Sequence, residues 1–172
     1  MLGNRGGKFH RDDKTLGKRR WASIHWICCE LHYKNMHHDA MGRGYTSLFF
    51  LDEATALAAG HRPCFFCRRA EAKQFVKMSG LSTSALDDQL QKERTSARPL
   101  ARDHPLCDGV MIEQDGEVYA QKDGTFLHWS FAGYAKTRGF KLSASAKLLT
   151  PPKILAILAL GFQPRWHASA AT

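Results

Sequence analysis

Residues 47–67 read SLFFLDEATALAAGHRPCFFC, and this stretch combines clear local structure with candidate chemistry. The apolar run that ends at Leu51 is typical of a strand. Asp52 predicts the N-cap of a helix, because its side chain can accept a hydrogen bond from a free backbone N–H group. Gly60 predicts the end of that helix. A Cys-x2-Cys turn follows, so the predicted order is strand, helix and cysteine turn.

The Cys-x2-Cys turn is the clearest sign of chemistry in the chain. Cys64 and Cys67 can direct both sulfurs toward one tetrahedral ion, and the adjacent Arg68 and Arg69 favour the thiolate form. The remaining ligands have to come from another part of the chain. The upstream candidates are Cys28, Cys29, His32, His37 and His38.

Cys28 and Cys29 are neighbours in an apolar run, residues 21–31, that predicts a strand. Successive strand residues face opposite sides, so one of the two thiols is expected to point into the core. Buried structural cysteines or a redox dithiol are the other interpretations of these residues. We expect zinc, with Cys28 or His167 as alternative ligands. The expected ligand set is Cys29, His32, Cys64 and Cys67.

The run from Ser47 to Cys67 resembles the zinc-binding domain of the Ada-type DNA-repair regulators, and a looser similarity extends over residues 21–69. In that family a strand, an Ala-rich helix and a Gly-x-Arg-Pro-Cys-x2-Cys turn deliver the last two of four zinc cysteines. The resemblance implies a small α/β zinc module on DNA. It also implies that Cys64 and Cys67 are ligands and that Arg62 lies near the surface that contacts the DNA backbone.

The sequence departs from the family upstream of the helix. The family has a Cys-x3-Cys pair, whose first cysteine accepts a methyl group from a DNA phosphotriester. The corresponding pair here is Cys28 with His32, or Cys29 with Tyr33. A histidine ligand still suits zinc but makes the bound thiolates less electron-rich. Metal binding and DNA contact are therefore carried over from the resemblance, and methyl transfer is not.

The charge of the chain favours a nucleic-acid partner. Its 172 residues contain 25 Lys and Arg against 16 Asp and Glu, which gives a formal net charge of +9. Residues 1–20 contain seven of the basic residues and four glycines, and they predict a flexible basic arm. The candidate nucleic-acid contacts are Arg19, Arg20, Arg62, Arg68, Arg69 and Lys73.

The second half of the chain predicts a helix, a β-meander and a C-terminal helix. A helical segment is expected around residues 86–95. Asp-Gly pairs at 115–116 and 123–124 are typical of two-residue hairpin turns, and they divide residues 109–129 into about three strands. Thr150 and Pro151 predict the start of the last helix.

These elements predict an α+β protein with three parts along the chain. The first is the basic arm, residues 1–20. The second is a zinc module of strand-strand-helix-knuckle order, residues 21–78. The third, residues 79–172, is expected to pack on the module as one compact unit. The length suits a single domain of this kind.

An enzyme that processes nucleic acid, either a nuclease-like hydrolase or a base-processing enzyme, is the alternative to a binding protein. Its candidate acids and bases are His38, His104 and His167, although no complete nuclease motif accompanies them. The chain has no apolar run long enough to span a membrane, and clustered cysteines favour a reducing compartment. We therefore expect a cytoplasmic zinc protein that binds DNA in repair or defence.

Overall fold

The computed structural model describes residues 1–35 and 39–171, and that part of the chain contains two β-sheets and four α-helices. The predicted α+β class is confirmed. The strands are β1 (Leu2–Arg5), β2 (Trp26–Cys29), β3 (Leu48–Phe49), β4 (Arg62–Pro63), β5 (Met111–Gln114), β6 (Glu117–Lys122), β7 (Thr125–Ser130), β8 (Gly133–Lys136) and β9 (Lys147–Leu148). The helices are α1 (Glu53–Ala58), α2 (Arg69–Ser79), α3 (Thr83–Thr95) and α4 (Pro152–Ala159).

The first sheet has the strand order β3-β1-β2-β4, so the start of the chain lies in its interior. Strand β1 pairs antiparallel with both β2 and β3. Phe9 and His10 are buried as well, and their backbone N–H groups donate to Thr46 Oγ1 at 2.9 and 3.0 Å. The prediction of a flexible arm is therefore wrong for residues 1–10. The basic composition did not reveal that this segment pairs with strands far along the chain.

Helix α1 begins and ends where the sequence predicted. Asp52 is the N-cap, and its Oδ1 accepts a hydrogen bond from the Thr55 N–H at 2.9 Å. Gly60 has φ +80°, a conformation that favours glycine. The chain then reverses into β4, which lies parallel to β2. Helix α2 begins two residues after Cys67, at Arg69.

The second sheet is antiparallel, with the order β8-β7-β6-β5-β9. The β-meander of β5, β6 and β7 is confirmed, and both Asp-Gly pairs have positive φ at each residue, as a type I′ turn requires. Strand β8 follows the meander and pairs with β7. Thr150 is not the cap of α4, because its hydroxyl accepts from the Met111 N–H and Pro151 takes the cap position.

The helices pack together in an apolar core that includes side chains from both halves of the chain. Leu57 of α1 and Phe75 of α2 belong to the same buried cluster as Leu90 of α3 and Ile157 of α4. Phe75 and Phe162 meet edge to face, with ring centroids 5.0 Å apart. Among the helices of residues 1–35 and 39–171, none combines the length and apolar character that a membrane span needs.

Candidate metal centre

Three cysteine sulfurs form a compact group at one end of the first sheet. The Sγ atoms of Cys29, Cys64 and Cys67 all lie within 4.8 Å of one another. Cys29 is the last residue of β2, and Cys64 directly follows β4, which is paired with β2 so that Pro63 lies opposite Cys28. Cys67 comes from the turn before α2. The parallel β2–β4 pair therefore brings the two cysteine motifs together.

Cys28 and Cys29 point to different surroundings, as strand alternation predicted. Cys28 is fully buried, and its Sγ lies 3.7 Å from Nη1 of Arg68. Burial, reinforced by the charge of Glu53, raises the pKa of the Cys28 thiol to about 12. Cys28 is outside the sulfur group and is a core residue, so Cys29 is the upstream cysteine that faces the site.

Backbone N–H groups stabilise two of the three sulfurs. The Phe66 N–H donates to Cys64 Sγ at 3.3 Å, and the Glu30 N–H donates to Cys67 Sγ at 3.4 Å. Such bonds orient the sulfurs and support negative charge on them. They come from the Cys-x2-Cys turn itself and from the residue after β2, so the same local backbone that places the sulfurs also polarises them.

The three thiols share their protons unequally. A hydrogen bond from Cys29 lowers the pKa of Cys64 to about 5, while the same bond, together with burial, raises the pKa of Cys29. Burial also raises the pKa of Cys67. Of the three thiols, Cys64 is therefore the one that ionises most readily. A soft divalent cation would displace the remaining protons, because metal ions bind the thiolate form.

The donor set fits a thiophilic metal ion. Three sulfurs this close can converge on one ion, and structural or catalytic zinc sites are commonly built from cysteine and histidine. In residues 1–35 and 39–171, no other Cys, His, Asp or Glu joins the group. The structure thus brings together Cys29, Cys64 and Cys67 of the expected ligands.

The histidines of the sequence prediction do not join the sulfurs in the described part of the chain. His32 is exposed and outside the group, because the chain has left β2 before reaching it. His167 is also exposed, and its Nδ1 lies 2.8 Å from Ser169 Oγ. His104 follows a short 3-10 helix, Ala101–Asp103, and is not in the group either. His38, with His37, lies outside the described residues.

A cavity of about 300 Å³ borders the three sulfurs. Its other walls are mainly apolar and aromatic, and Phe66 at this position is 60% exposed. No local motif marks Tyr33, Tyr45 or Leu2 as site residues, because the three come from separate segments of the chain. The lining includes Leu2, Ile27, Tyr33, Tyr45 and Phe66.

Two of the arginines expected to contact nucleic acid are instead buried in ion pairs. Arg62 donates from Nε and Nη2 to the two carboxylate oxygens of Asp87, each at 2.8 Å. Arg68 donates to both oxygens of Glu53, at 2.6 and 2.9 Å. Arg62 is 5% exposed and Arg68 is 2% exposed. The prediction that Arg62 and Arg68 contact nucleic acid at the surface is therefore wrong. Arg62 joins the cysteine segment to α3, and Arg68 joins it to α1.

Other basic residues remain exposed on the outer face of α2. Arg69, Lys73 and Lys77 are exposed and occur at intervals of four residues, so they lie along one side of the helix. We call these three residues the α2 basic stripe. It begins two residues after Cys67. Arg19 and Arg20 are exposed as well, in the segment before β2.

No protein-family model, curated protein or solved structure matches this chain at a significant level. The resemblance to the Ada-type zinc domain consequently rests on the residues quoted above. Of the two upstream cysteines, Cys29 is the one that lies with Cys64 and Cys67 in the structure. Tyr33 lines the adjacent cavity.

Proposed function

We propose that this protein is a zinc-containing, nucleic-acid-binding protein that contacts the phosphate backbone with the α2 basic stripe. One observation carries the proposal: three convergent sulfurs lie immediately before a helix whose exposed face bears Arg69, Lys73 and Lys77. The metal would hold Cys64 and Cys67 against Cys29 and so set the start of α2. The basic face of that helix would then have a defined position relative to the sheet.

Zinc is the metal that best suits these ligands. Thiolate sulfurs are soft donors, which favour zinc over calcium or magnesium. Zinc also has no redox chemistry of its own, as a structural centre requires. The cysteines are free thiols rather than disulfides, a state that a reducing, cytoplasmic environment maintains.

The nucleic-acid part of the proposal rests on charge and on the resemblance. The net charge of +9 and the row of basic side chains on one helix face suit a polyanion. Contacts of this type position a protein on nucleic acid without reading its sequence. The resemblance to the Ada-type zinc domain favours DNA as the partner and supports a role in DNA repair or defence.

The metal is tested by measuring the metal content of the purified protein and of two matched variants by mass spectrometry. We expect one zinc per chain in the wild type and in Cys28→Ala, and a loss of zinc in Cys29→Ala. The two substitutions are chemically identical at adjacent positions, so the comparison isolates the sulfur that faces the group. A folded wild-type protein without metal, or equal zinc in both variants, would contradict the proposal.

Nucleic-acid binding is tested by fluorescence anisotropy with labelled DNA over a series of salt concentrations. The wild type is expected to lose affinity steeply as salt rises. The triple variant Arg69→Gln, Lys73→Gln, Lys77→Gln should reduce the slope of log K against log salt by roughly 2 to 3, because each lost phosphate contact removes about 0.7 to 0.9. The control variant, Arg138→Gln, Lys141→Gln, Lys147→Gln, removes the same charge from exposed positions in the second half of the chain. Equal slopes in the two triple variants would exclude the stripe as the contact surface.

A further inference from the structure

The cavity beside the sulfur group has a size and lining that suit one flat ring. It measures about 300 Å³, and the three cysteines are among its lining residues. Tyr33 and Phe66 also line it and meet edge to face, with ring centroids 5.3 Å apart. Leu2 and Ile27 add aliphatic surface. Such walls bind planar apolar groups through contact with their faces.

Phe66 has an unusual environment for a phenylalanine in a tight turn. It lies between the two cysteines of the Cys-x2-Cys turn, and its side chain is 60% exposed at the cavity. An exposed aromatic face is a platform on which nucleobases stack irrespective of their identity. The Phe66 N–H donates to Cys64 Sγ at 3.3 Å and holds the backbone of the turn, and the Tyr33 ring contacts the Phe66 ring edge to face.

The charge around the cavity favours a neutral ring over a phosphate. Zinc held by three thiolates would carry a formal charge of −1. Glu30 also lines the cavity, but its carboxylate is paired with Arg165 and adds little charge of its own. A phosphate in this position would be repelled. Positive charge lies outside instead, with Lys34 Nζ 5.4 Å from the Tyr33 ring centroid and Arg69 at the start of α2. The cavity thus suits the base of a nucleotide, and the region around Lys34 and Arg69 suits its phosphates.

The metal centre also has an incomplete ligand set on the described part of the chain. Zinc prefers four ligands, whereas residues 1–35 and 39–171 supply three that converge. The sulfurs form part of the cavity wall, so a molecule in the cavity lies against the metal-binding group. This arrangement differs from a metal centre enclosed within the protein core.

We propose that the cavity between the sulfur group and the Tyr33–Phe66 pair takes a single unstacked nucleobase, while Lys34 and the α2 basic stripe contact the flanking phosphates. The inference rests on the proposed function, because it assumes that the partner is a nucleic acid. It adds that the protein prefers single-stranded or locally opened DNA to an intact duplex. A paired base cannot enter the cavity without leaving its stack.

The test compares binding of the zinc-loaded protein to a labelled single-stranded 12-mer and to the same sequence as a duplex. We expect the wild type to bind the single strand roughly tenfold more tightly. Phe66→Ala should weaken single-strand binding by roughly tenfold and leave duplex binding nearly unchanged, because it removes one stacking contact. Phe49→Ala is the matched control: Phe49 is 65% exposed on β3 and does not line the cavity.

A 2-aminopurine placed in the single strand gives a second readout. Its fluorescence depends on stacking, so entry into the cavity should change its emission in the wild type and in Phe49→Ala but not in Phe66→Ala. Metal content and a thermal melt establish that Phe66→Ala is folded and loaded.

Two results overturn the inference in distinguishable ways. Salt-dependent binding with no preference for the single strand, or equal losses in Phe66→Ala and Phe49→Ala, would exclude the base-binding cavity and leave the proposed function intact. Absence of salt-dependent binding to either form would overturn the cavity proposal and the proposed function together.

Discussion

Arg68 and Arg69 are neighbours in the sequence and have opposite environments in the structure. Arg68 is buried in a two-bond ion pair with Glu53, whereas Arg69 is exposed on α2. A buried guanidinium is tolerated only with a partner of opposite charge, because desolvation of an isolated charge is very unfavourable. At the residue scale, therefore, the position of a distant carboxylate decides which arginine is structural and which is free to bind a partner.

Replacing Glu53 by Gln is expected to lower the free energy of unfolding by up to about 3–5 kcal/mol, because it removes the nearest and most buried carboxylate partner of Arg68. The remaining carboxylates, Glu30 and Glu71, lie farther from the guanidinium, at 3.6 and 3.8 Å. Urea denaturation followed by circular dichroism measures the change. The control is Glu117→Gln, in which the carboxylate is 60% exposed and the expected loss is below about 1 kcal/mol. Equal effects of the two substitutions would show that the Glu53–Arg68 pair is not a structural requirement.

His61 is fully buried, and within residues 1–35 and 39–171 neither ring nitrogen makes a hydrogen bond of ordinary distance and angle. Its ring packs against Trp26 and Phe50, with centroid distances of 5.2 and 4.7 Å. Burial, together with the charges of Arg5 and Arg94, keeps its pKa well below the usual 6.5. The imidazole is therefore neutral in the folded protein.

This environment predicts an acid-sensitive contribution to stability. The unfolded chain takes up a proton at His61 below pH 6.5 and the folded chain does not, so the contribution is complete above pH 6.5 and falls as the pH decreases. The maximum slope is about 1.4 kcal/mol per pH unit. Urea denaturation of the wild type and of His61→Leu at pH 7.5 and pH 5.0 measures it. A variant with the same pH dependence as the wild type would disprove the role of His61.

At the element scale, the helix that leads to the cysteine turn depends on Asp52. Its Oδ1 caps α1 through Thr55, and its Oδ2 accepts a hydrogen bond from the backbone N–H of His167 at 3.1 Å. One carboxylate thus begins a helix and attaches the C-terminal segment to it. The cap was predictable because it depends on residues three positions apart, whereas the bond to His167 spans 115 positions.

Asp52→Ala is expected to lower the free energy of unfolding by about 1–2 kcal/mol, because it removes a helix cap and leaves the His167 N–H without its acceptor. Asp52→Asn retains the capping oxygen but not the second acceptor for the His167 N–H, so it should cost about half as much. Thermal and urea denaturation of the two variants provide the comparison. Equal losses would mean that the bond to His167 or the carboxylate charge, rather than the cap, supplies the stabilisation.

At the scale of the whole molecule, the first strand holds the first sheet together. Strand β1 lies between β2 and β3, and β2 carries Cys29 toward the other two cysteines. A strand in the interior of a sheet supplies hydrogen bonds on both edges, so its loss exposes both neighbours. The position of the cysteine group therefore depends on residues at the start of the chain, far from the Cys-x2-Cys turn in the sequence.

Deletion of residues 1–10 is expected to abolish cooperative unfolding and zinc binding together, because β2 loses its antiparallel partner. Circular dichroism melts and metal content measure both effects. The control is the full-length double variant Lys8→Gln, Arg11→Gln, which removes charge from this segment without removing the strand and should retain both properties. A truncated protein that melts cooperatively with its zinc would show that β1 is dispensable.

Local features of this fold were predictable because they depend on a few adjacent residues. Local patterns alone predict helix α1 between Asp52 and Gly60, the Cys-x2-Cys turn and the two Asp-Gly hairpins, because caps and turns satisfy backbone geometry within four or five positions. Strand alternation likewise predicts that Cys28 and Cys29 face different sides, because that alternation is intrinsic to β structure.

Contacts between distant parts of the chain selected the residues that form the candidate site. It placed Cys29 rather than Cys28 with Cys64 and Cys67, brought the start of the chain into the sheet, and buried Arg62 and Arg68 against acidic partners. Strand pairing and buried ion pairs join residues separated by tens of positions, and the free energy of these contacts depends on the whole fold. A local pattern of residue types does not specify such long-range contacts. The aromatic cavity could not be predicted from the sequence for the same reason, because its lining residues come from separate segments.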